Sequence, residues 1–497
     1  MRAFCYAPFG YEGSIVAIET DIRRGIPSID IVGLADGAVK ESRERVKSAI
    51  KNSGYDFPSE RCLVSLSPAD LKKEGPQFDL AIAMSILNQQ DTEEILILGE
   101  LELSGEVRPV RGVHAAITSA VASGIKYAIV PMANVNEARI LNIKVIGVNN
   151  LKEAMASLNH LENFTEGVSM TENKEVEFPE IDENQIDMLN ELCKKHPKAM
   201  RAMAVSVAGK HHILFMGNPG CGKTLLLQQM SYLTPNMTTE EAMTTTRIHS
   251  LAGLMRADEK LMKVAPFRMP HQTATVEGIC GGGAQCRPGE ISLAHNGTLF
   301  LDEAAEFRTS VLQLLRVPLE SHVIVLSRAG RSTGYPANFR LALATNPCPC
   351  GNYGVKDRIC LCSAIAIERY WRKFSGPLLD RIGIIQTIKE EERDESLNIH
   401  SVKSWIKNAY EIQRREEVIN ESLTPREILE KCVLTKDLKD YLYSVASDKN
   451  LSQRRVAIIM KMAKTIANMD SRSSIQLEDL KESIDLATEA TPLITED

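Results

Sequence analysis

The 497-residue sequence has no apolar run near the ~18 residues that a membrane-spanning helix needs. Its N-terminus, MRAFCYAPFGYEG, lacks the apolar core of a signal peptide. Its eleven cysteines are odd in number and unevenly spaced, unlike the disulfide framework of a secreted protein. These absences predict a cytoplasmic protein with reduced thiols and no association with membranes.

Acidic residues outnumber basic residues by 65 to 58, so the chain carries a net charge of −7 at pH 7. The deficit is uneven: residues 201–390 hold a surplus of seven basic residues, and the remainder sums to −14. From Glu162 to Glu191 there are ten carboxylates and one lysine. We interpret residues 166–192 as a solvated acidic linker. It separates an N-terminal domain, residues 1–165, from a basic central segment that is compatible with a nucleic-acid partner.

The strongest motif is GNPGCGKT, which follows the apolar segment Ile213 to Met216 and precedes an apolar helical segment. It fits the pattern G-x-x-x-x-G-K-[ST] in the required strand–loop–helix context, which disfavours a chance glycine-rich turn. Glycines let backbone N–H groups face phosphates, the lysine neutralises phosphate charge, and the hydroxyl of Thr224 ligates Mg²⁺. The predicted ATP-binding residues are Gly217, Asn218, Pro219, Gly220, Cys221, Gly222, Lys223 and Thr224.

Two further apolar segments end in polar side chains. The segment Thr298 to Leu301 runs into Asp302 and Glu303, and FRLALATN ends in Asn346. Ligands collect at the carboxyl ends of strands in open α/β sheets. We expect Asp302 to hold Mg²⁺ mostly through water, and Glu303 to act as the base that orients the attacking water. Asn346 would hold the hydrolytic water, unless it only forms a turn before Pro347.

Two arginines are candidates for contact with ATP. Arg381 follows a short apolar turn in FSGPLLDRIG and is predicted to reach the γ-phosphate of a neighbouring subunit as an arginine finger. Arg454 opens the amphipathic helix in LSQRRVAIIMKMAKTIANM. It could fold onto the nucleotide from a C-terminal helical lid, and a surface arginine without a role is the alternative.

Four cysteines are concentrated in the short loop 348–362, with C-x-C-x₉-C-x-C spacing. Two close thiol pairs can supply the four soft ligands of a tetrahedral zinc site, whereas small buried thiols in a loop core are the alternative. The predicted zinc ligands are Cys348, Cys350, Cys360 and Cys362. Lys356 and Arg358 lie between the two pairs, and a zinc-stapled loop would hold them near a DNA strand.

Three more arginines are candidate DNA contacts. ESHVIVLSRAGRSTGYPANF predicts two strands around a tight turn, with Arg328 and Arg331 near its tip. Arg287 lies in the glycine-rich loop ICGGGAQCRPGE. Either element could project into the pore of a ring and follow phosphates. Solvated surface arginines without a partner are the alternative.

Long motifs in this region carry a resemblance to a known family. PFRMPHQTATVEGICGGGAQCRPGEISLAHNGTLFLDE, NPCPCG and SGPLLDR resemble the magnesium-chelatase-like AAA+ ATPases, and with the N-terminal half they resemble the ComM/YifB family. The resemblance implies an α/β fold with an AAA+ P-loop core at residues 193–390 and a helical lid at 391–497. It also implies a hexameric DNA helicase for branch migration in natural transformation, with ATP and Mg²⁺ as cofactors.

The chain departs from the family pattern at three places. It reads His271-Gln272 where the family commonly has two histidines, and DEAAEF where the family has DELPEF. HPKAMRAMAVSVAGK replaces the Gly-Gln segment that usually precedes the P-loop. The last difference leaves recognition of the adenine base open.

The N-terminal domain resembles the proteolytic domain of Lon, an α+β fold, in SLSPADLKKEGPQFDLAIAMSIL and LGELELSGEVRPVRGVHAAITSA. In Lon a serine follows the Gly-Pro and a lysine follows the later glycine by two positions. Here Gln77 and His114 stand at those positions. An amide cannot act as the nucleophile, so we expect no peptidase activity. The domain would be a structural or partner-binding module whose partner the sequence does not identify.

Two functions therefore remain from the sequence. The first is a Mg²⁺-dependent ATPase ring that moves on single-stranded or branched DNA. The second is a chelatase-like ATPase that remodels a protein partner without nucleic acid. Stimulation of ATP turnover by DNA distinguishes them.

Overall fold

The structure is a computed structural model that describes residues 3–69, 71–88, 94–167, 175–256, 259–328, 331–354, 358–389 and 392–488. A mixed sheet, a parallel sheet and a group of helices follow one another along the chain. Among the helices of these ranges, none is long and apolar enough to cross a membrane.

The N-terminal part contains an eight-stranded mixed sheet of order β10-β9-β8-β5-β1-β2-β4-β3, and a separate pair β6-β7. The strands are β1 Ala3–Phe9, β2 Glu12–Arg23, β3 Ser28–Val32, β4 Arg61–Ser67, β5 Ile95–Ile97, β6 Glu100–Leu101, β7 Val107–Arg108, β8 Tyr127–Pro131, β9 Lys144–Val148 and β10 Thr165–Glu166. The helices are α1 Gly37–Asn52, α2 Asp79–Leu87, α3 Val113–Ala122, α4 Val135–Ala138 and α5 Leu151–Ser157. Helix α2 is apolar except for Asp79 and Ser85, and its residues 79–86 are buried. The predicted α+β fold is confirmed.

The central part contains a five-stranded parallel sheet of order β12-β15-β18-β11-β19 and two hairpins, β13-β14 and β16-β17. Its strands are β11 Ile213–Met216, β12 Phe267–Arg268, β13 Gly281–Gly282, β14 Arg287–Pro288, β15 Thr298–Leu301, β16 Val323–Arg328, β17 Arg331–Pro336, β18 Arg340–Thr345 and β19 Ile384–Thr387. Its helices are α6 Glu183–Lys195, α7 Pro197–Gly209, α8 Lys223–Gln228, α9 Met230–Leu233, α10 Thr239–Ala252, α11 Val276–Cys280, α12 Glu290–Leu293, α13 Thr309–Leu314, α14 Pro318–Ser321, α15 Ala364–Arg372 and α16 Gly376–Leu379.

Strands β11, β15 and β18 are buried along their whole length, as expected when helices cover both faces of a parallel sheet. Strand β18 lies between β11 and β15, and all three run in the same direction. Their carboxyl ends therefore meet at one edge of the sheet, where the P-loop, Asp302 and Asn346 follow them.

The C-terminal part is helical, as predicted. Its helices are α17 Ile399–Arg415, α18 Pro425–Lys431, α19 Lys436–Asp448, α20 Gln453–Met469 and α21 Leu477–Thr488. Helix α20 packs against α17, α21 and α7, and so joins the C-terminal helices to helix α7 of the central part.

The tract interpreted as a linker, residues 166–192, becomes helical at Glu183. A capping box between Asp182 and Gln185 satisfies the first N–H groups of α6. Leu189 is fully buried in the same core as α7. The second half of the tract is thus part of the folded core, because its apolar positions share one helix face.

The N-terminal part packs directly on the two hairpins. The backbone N–H of Gly10 donates to the carbonyl of Gln285 at 3.0 Å. Tyr11 N–H donates to the hydroxyl of Thr333 at 3.1 Å, and its ring lies 5.8 Å from that of Tyr335. Both hairpins are therefore held against the N-terminal sheet of the same chain.

Candidate nucleotide site and cysteine cluster

The P-loop begins at the end of β11 and is tied to the neighbouring strand. The N–H of Gly217 donates to the carbonyl of Thr345 at 3.2 Å. Gly222 caps α8 in the left-handed region at φ +91°, a conformation that glycine adopts without strain. None of the described side chains caps the first turn of this helix, so its N–H groups are available to phosphate oxygens.

Lys223 is buried and points back along the P-loop. Its ammonium donates to the carbonyls of Gly217 and Asn218 at 2.7 and 2.8 Å, and to Asn346 Oδ1 at 3.2 Å. Burial lowers the pKa of Lys223 below its ordinary value. The amide at the end of β18 and the P-loop lysine therefore meet, although 123 positions separate them.

Thr224 and Asp302 face each other across the same edge. The hydroxyl of Thr224 lies 3.0 Å from both carboxylate oxygens of Asp302. A hydroxyl and a carboxylate are oxygen ligands of the kind that Mg²⁺ takes beside phosphates. Glu303 follows in the left-handed region at φ +49° with an exposed side chain, and its N–H donates to Asp302 Oδ1 at 3.1 Å.

Family models and related proteins match nearly the whole chain, including the segments that form this site. Family models for magnesium chelatase subunit ChlI match residues 18–134 and 189–396, and the model for its C-terminal part matches residues 397–486. The chain is 35% identical over 494 residues to competence protein ComM of Haemophilus influenzae, covering 96% of this chain and 95% of that one. It is 35% identical over 496 residues to the YifB protein of Salmonella typhimurium, with the same coverage.

The chain belongs to the ComM/YifB family of magnesium-chelatase-like AAA+ proteins. A shorter match, 22% identical over 136 residues, relates it to Lon protease of Desulfovibrio desulfuricans and covers 25% of this chain and 16% of Lon. The predicted family and fold class are therefore confirmed. The parallel sheet of this family member carries the P-loop on β11, beside β18.

The two arginines that sequence motifs singled out lie together in this ComM/YifB protein. Arg381 Nη2 pairs with Glu320 Oε2 at 2.5 Å, and Arg454 Nη2 pairs with Glu320 Oε1 at 2.7 Å. Arg381 also donates to the carbonyl of Pro377. Its side chain is only 13% exposed. Within its own chain Arg381 thus contacts Glu320 and Pro377, and its contact with a neighbouring subunit stays a prediction.

The four cysteines of loop 348–362 form one cluster. The Sγ atom of Cys348 lies 3.4 Å from that of Cys350 and 3.7 Å from that of Cys360, and all four sulfurs lie within 4.8 Å of one another. Sulfurs at ~2.3 Å from one zinc ion would be about 3.8 Å apart. The cluster therefore fits a single tetrahedral metal ion. A hydrogen bond from the backbone of Asn352 is the largest cause that lowers the pKa of Cys350, to about 6.

The cysteine loop is anchored beside the nucleotide site. Trp371 Nε1 donates to the carbonyl of Pro347 at 3.0 Å, and Cys348 is fully buried. A Cβ atom at Gly351 would lie 2.6 Å from the ring of Pro219 in the P-loop. The loop that follows Asn346 thus packs against the P-loop.

The candidate DNA contacts have mixed surroundings. Arg328 and Arg331 lie opposite each other in the β16-β17 ladder, and Arg358 is exposed. The guanidinium of Arg331 lies 3.6 Å from the ring centroid of Phe9, so this arginine stacks on the N-terminal part instead of projecting freely. Arg287 is exposed and donates to Gln285 Oε1 at 3.0 Å. Lys356 lies outside the described residues.

Gln77 and His114, at the positions that correspond to the serine and lysine of Lon, lie in the N-terminal part, whereas the P-loop lies in the central part. Gln77 donates its amide to the carbonyl of Glu74 at 2.7 Å and lines a cleft of about 380 Å³. Arg287 and Tyr335 of the central part form another wall of the cleft. His114 is buried outside the cleft lining, and burial lowers its pKa to about 4. The residues that replace serine and lysine are thus not brought together as a reactive pair in the described cleft.

Two residues of the site have contacts that the sequence does not indicate. Glu320 is one carboxylate among many, and its partners lie 61 and 134 positions away. Gly351 ends the motif NPCPCG, but its contact with Pro219 depends on the fold. Neither belongs to a pattern of spacing that indicates its neighbours.

Proposed function

We propose that this protein is a Mg²⁺-dependent ATPase that assembles as a hexameric ring and moves on single-stranded or branched DNA. The observation that carries the ATPase is the convergence of Lys223, Thr224, Asp302 and Asn346 at one sheet edge. In this proposal Glu303 activates the attacking water and Asn346 positions it. Arg381 supplies its charge to the site of the neighbouring subunit.

The DNA substrate is proposed from two observations. One of the relatives that share nearly the whole length of the chain is a competence protein. The central part also carries a surplus of basic residues in an acidic protein. Branch migration during recombination or natural transformation is the activity that we propose, with Arg287, Arg328 and Arg358 as candidate phosphate contacts.

We also propose a structural zinc ion in the cysteine cluster. The four thiols are close enough to share one ion, and the loop packs on the P-loop. Zinc would hold Arg358 and the end of β18 in fixed positions. We propose no role for this zinc ion in ATP hydrolysis.

A second function is favoured by the stacking of Arg331 on Phe9. A hairpin that rests on its own N-terminal part is less available to DNA, and this arrangement suits an ATPase that remodels a protein partner. The family models are themselves named after a chelatase subunit.

The test is ATP turnover without DNA and with single-stranded, duplex or four-way-junction DNA, at two salt concentrations. We expect stimulation by single-stranded or branched DNA that weakens as salt rises. Lys223→Ala is the control for contaminating ATPases. Turnover that DNA leaves unchanged in assembled rings contradicts the DNA motor and favours the chelatase-like function.

A further inference from the structure

The second cysteine pair alternates with two exposed aliphatic residues. Cys360 and Cys362 pack against the hydrophobic core, whereas Ile359 and Leu361 are 82% and 89% exposed. Successive side chains of an extended segment point to opposite sides. The sulfur atoms accordingly face the cluster, and the two aliphatic side chains face the solvent.

Helix α15, which follows the cysteines, continues this exposed surface. Ile365, Arg369 and Arg372 are exposed and share one face of the helix, because they are spaced by four and three residues. The opposite face carries Tyr370 and Trp371, which are buried. Ile365 is 67% exposed. The end of the loop and the start of the helix therefore present three aliphatic side chains to the solvent.

Basic side chains flank these aliphatic residues. From Arg358 to Arg372 the chain has three arginines and one carboxylate, Glu368. Glu368 pairs with Arg372, whereas Arg358 and Arg369 have no ion pair among the described residues. A surface with aliphatic side chains and unpaired positive charge complements a nucleic acid, because base faces are apolar and phosphates are negative.

We propose that this surface binds unpaired DNA, with Ile359, Leu361 and Ile365 against the faces of bases and Arg358 and Arg369 against phosphates. The inference rests on the proposed function and adds the bases as a second kind of contact. In a duplex the base faces are stacked on one another, so an aliphatic wedge must first unstack a step. Single strands and branch points present base faces without that cost.

The same surface is joined to the nucleotide site by buried contacts. The hydroxyl groups of Tyr370 and Thr345, the last residue of β18, lie 2.9 Å apart. Trp371 Nε1 donates to the carbonyl of Pro347. The inner face of α15 therefore holds both neighbours of Asn346, the residue that we propose positions the water. Binding of DNA to the outer face of this helix thus has a direct route to the ATP site.

The test compares binding to an oligothymidylate with binding to an abasic strand of the same length, which has the same phosphates and no bases. We expect the wild-type protein to bind the oligothymidylate about tenfold more tightly. Ile359→Ser combined with Leu361→Ser should lose this preference and bind the abasic strand as the wild type does. Leu429→Ser is the matched control, because Leu429 is 76% exposed in α18 and should not affect the preference.

Further variants separate base contact from charge and from folding. Ile365→Ser should reduce the preference for bases several-fold, and Leu361→Met should keep most of it because the side chain stays apolar. Arg369→Gln should weaken binding to both strands equally and reduce its salt dependence. A thermal midpoint equal to that of the wild type shows that a variant has lost a contact and not its fold.

The outcomes differ in what they overturn. An unchanged preference for bases in both serine variants, with DNA still stimulating turnover, overturns this inference and leaves the proposed function standing. Loss of assembly in either serine variant, measured by sedimentation, would assign the surface to contacts between copies of this chain and would also overturn it. Wild-type turnover that DNA does not change contradicts the proposed DNA motor and removes this inference with it.

Discussion

The ammonium of Lys223 lies 3.2 Å from the side-chain oxygen of Asn346, so one hydrogen bond joins the P-loop to the end of β18. The amide oxygen is thereby engaged, and the NH₂ group of Asn346 remains as a donor for a water molecule or a phosphate oxygen. The bond also fixes the distance between Lys223, which we propose neutralises phosphate charge, and Asn346, which we propose positions the water.

Asn346→Ala should lower kcat by roughly 10- to 100-fold, because a donor aimed at the reacting water or phosphate is lost. ATP binding should change only a few-fold, since Lys223 keeps its two backbone partners. Steady-state turnover and equilibrium binding of a nucleotide analogue measure the two effects. An unchanged kcat would show that Asn346 only forms a turn.

Glu303→Gln should retain ATP binding and lower kcat by orders of magnitude, because an amide cannot accept the proton of the attacking water. The exposed Glu306 of the next turn offers a control as Glu306→Gln. Single-turnover hydrolysis with radiolabelled ATP separates binding from chemistry. Hydrolysis at the wild-type rate in Glu303→Gln would assign the base to another residue.

Mixed rings should show whether Arg381 acts between subunits. Arg381→Ala and Lys223→Ala are each expected to lose turnover when they assemble alone. In mixtures, an interface that joins an intact Arg381 to an intact P-loop should recover part of the activity. Absence of recovery at every ratio, with mixed assembly verified by differently tagged subunits, would argue for action within one subunit.

The cysteine cluster should bind one zinc ion per subunit with four sulfur ligands at ~2.3 Å. Cys360→Ser combined with Cys362→Ser should lose the metal, weaken DNA binding and reduce DNA-stimulated turnover more than basal turnover. Cys193→Ala, at a buried thiol elsewhere, should keep a full metal content. X-ray absorption and metal analysis of protein never exposed to chelator measure this; clearly less than one zinc per subunit would return the thiols to a packing role.

His114 should make the protein less stable as the pH falls. Burial, with a smaller effect of Arg247, lowers its pKa from 6.5 to about 4, and neither ring nitrogen has a partner within the described part of the chain. The unfolded chain takes up a proton first, so the stabilising contribution is complete above pH 6.5 and is lost towards pH 4. From pH 7 to 5.5 this group should cost about 1 kcal/mol.

His114→Met should therefore reduce the difference between urea unfolding free energies at pH 7.0 and 5.5. The exposed His400 provides the control, because His400→Met should leave that difference unchanged. An equal difference between the unfolding free energies at pH 7.0 and 5.5 in the wild type and in His114→Met would show that His114 does not set this pH dependence.

The sheet edge that carries the P-loop, Asp302 and Asn346 could be predicted, because each of these parts directly follows its own strand in the sequence. A buried strand followed by GNPGCGKT, and another followed by Asp302, indicate their own positions at the ends of parallel strands. The contact between Lys223 and Asn346 then follows from the neighbouring positions of β11 and β18. The family match confirms the fold that these patterns indicated.

Features that depend on distant partners could not be predicted in this way. The stacking of Arg331 on Phe9 and the pairing of Arg381 with Glu320 join residues without any common motif. At residues 166–192 the acidic composition obscured the capping box that starts α6. Composition indicates how strongly a segment is solvated, whereas the burial of Leu189 depends on which face of α6 packs against the core.

The attachment of the N-terminal part to the two hairpins has a consequence for how the chain can be divided. Tyr335 is buried partly against Tyr11, and Arg331 shields the ring of Phe9. A shortened protein that starts at residue 175 would expose Tyr335 and the inner face of β16-β17 to solvent. Such a fragment would be prone to self-association through this surface. The domain boundary that the sequence predicts at residues 166–192 is therefore only a change of composition. A soluble fragment of the central and C-terminal parts would need polar substitutions on the β16-β17 hairpin.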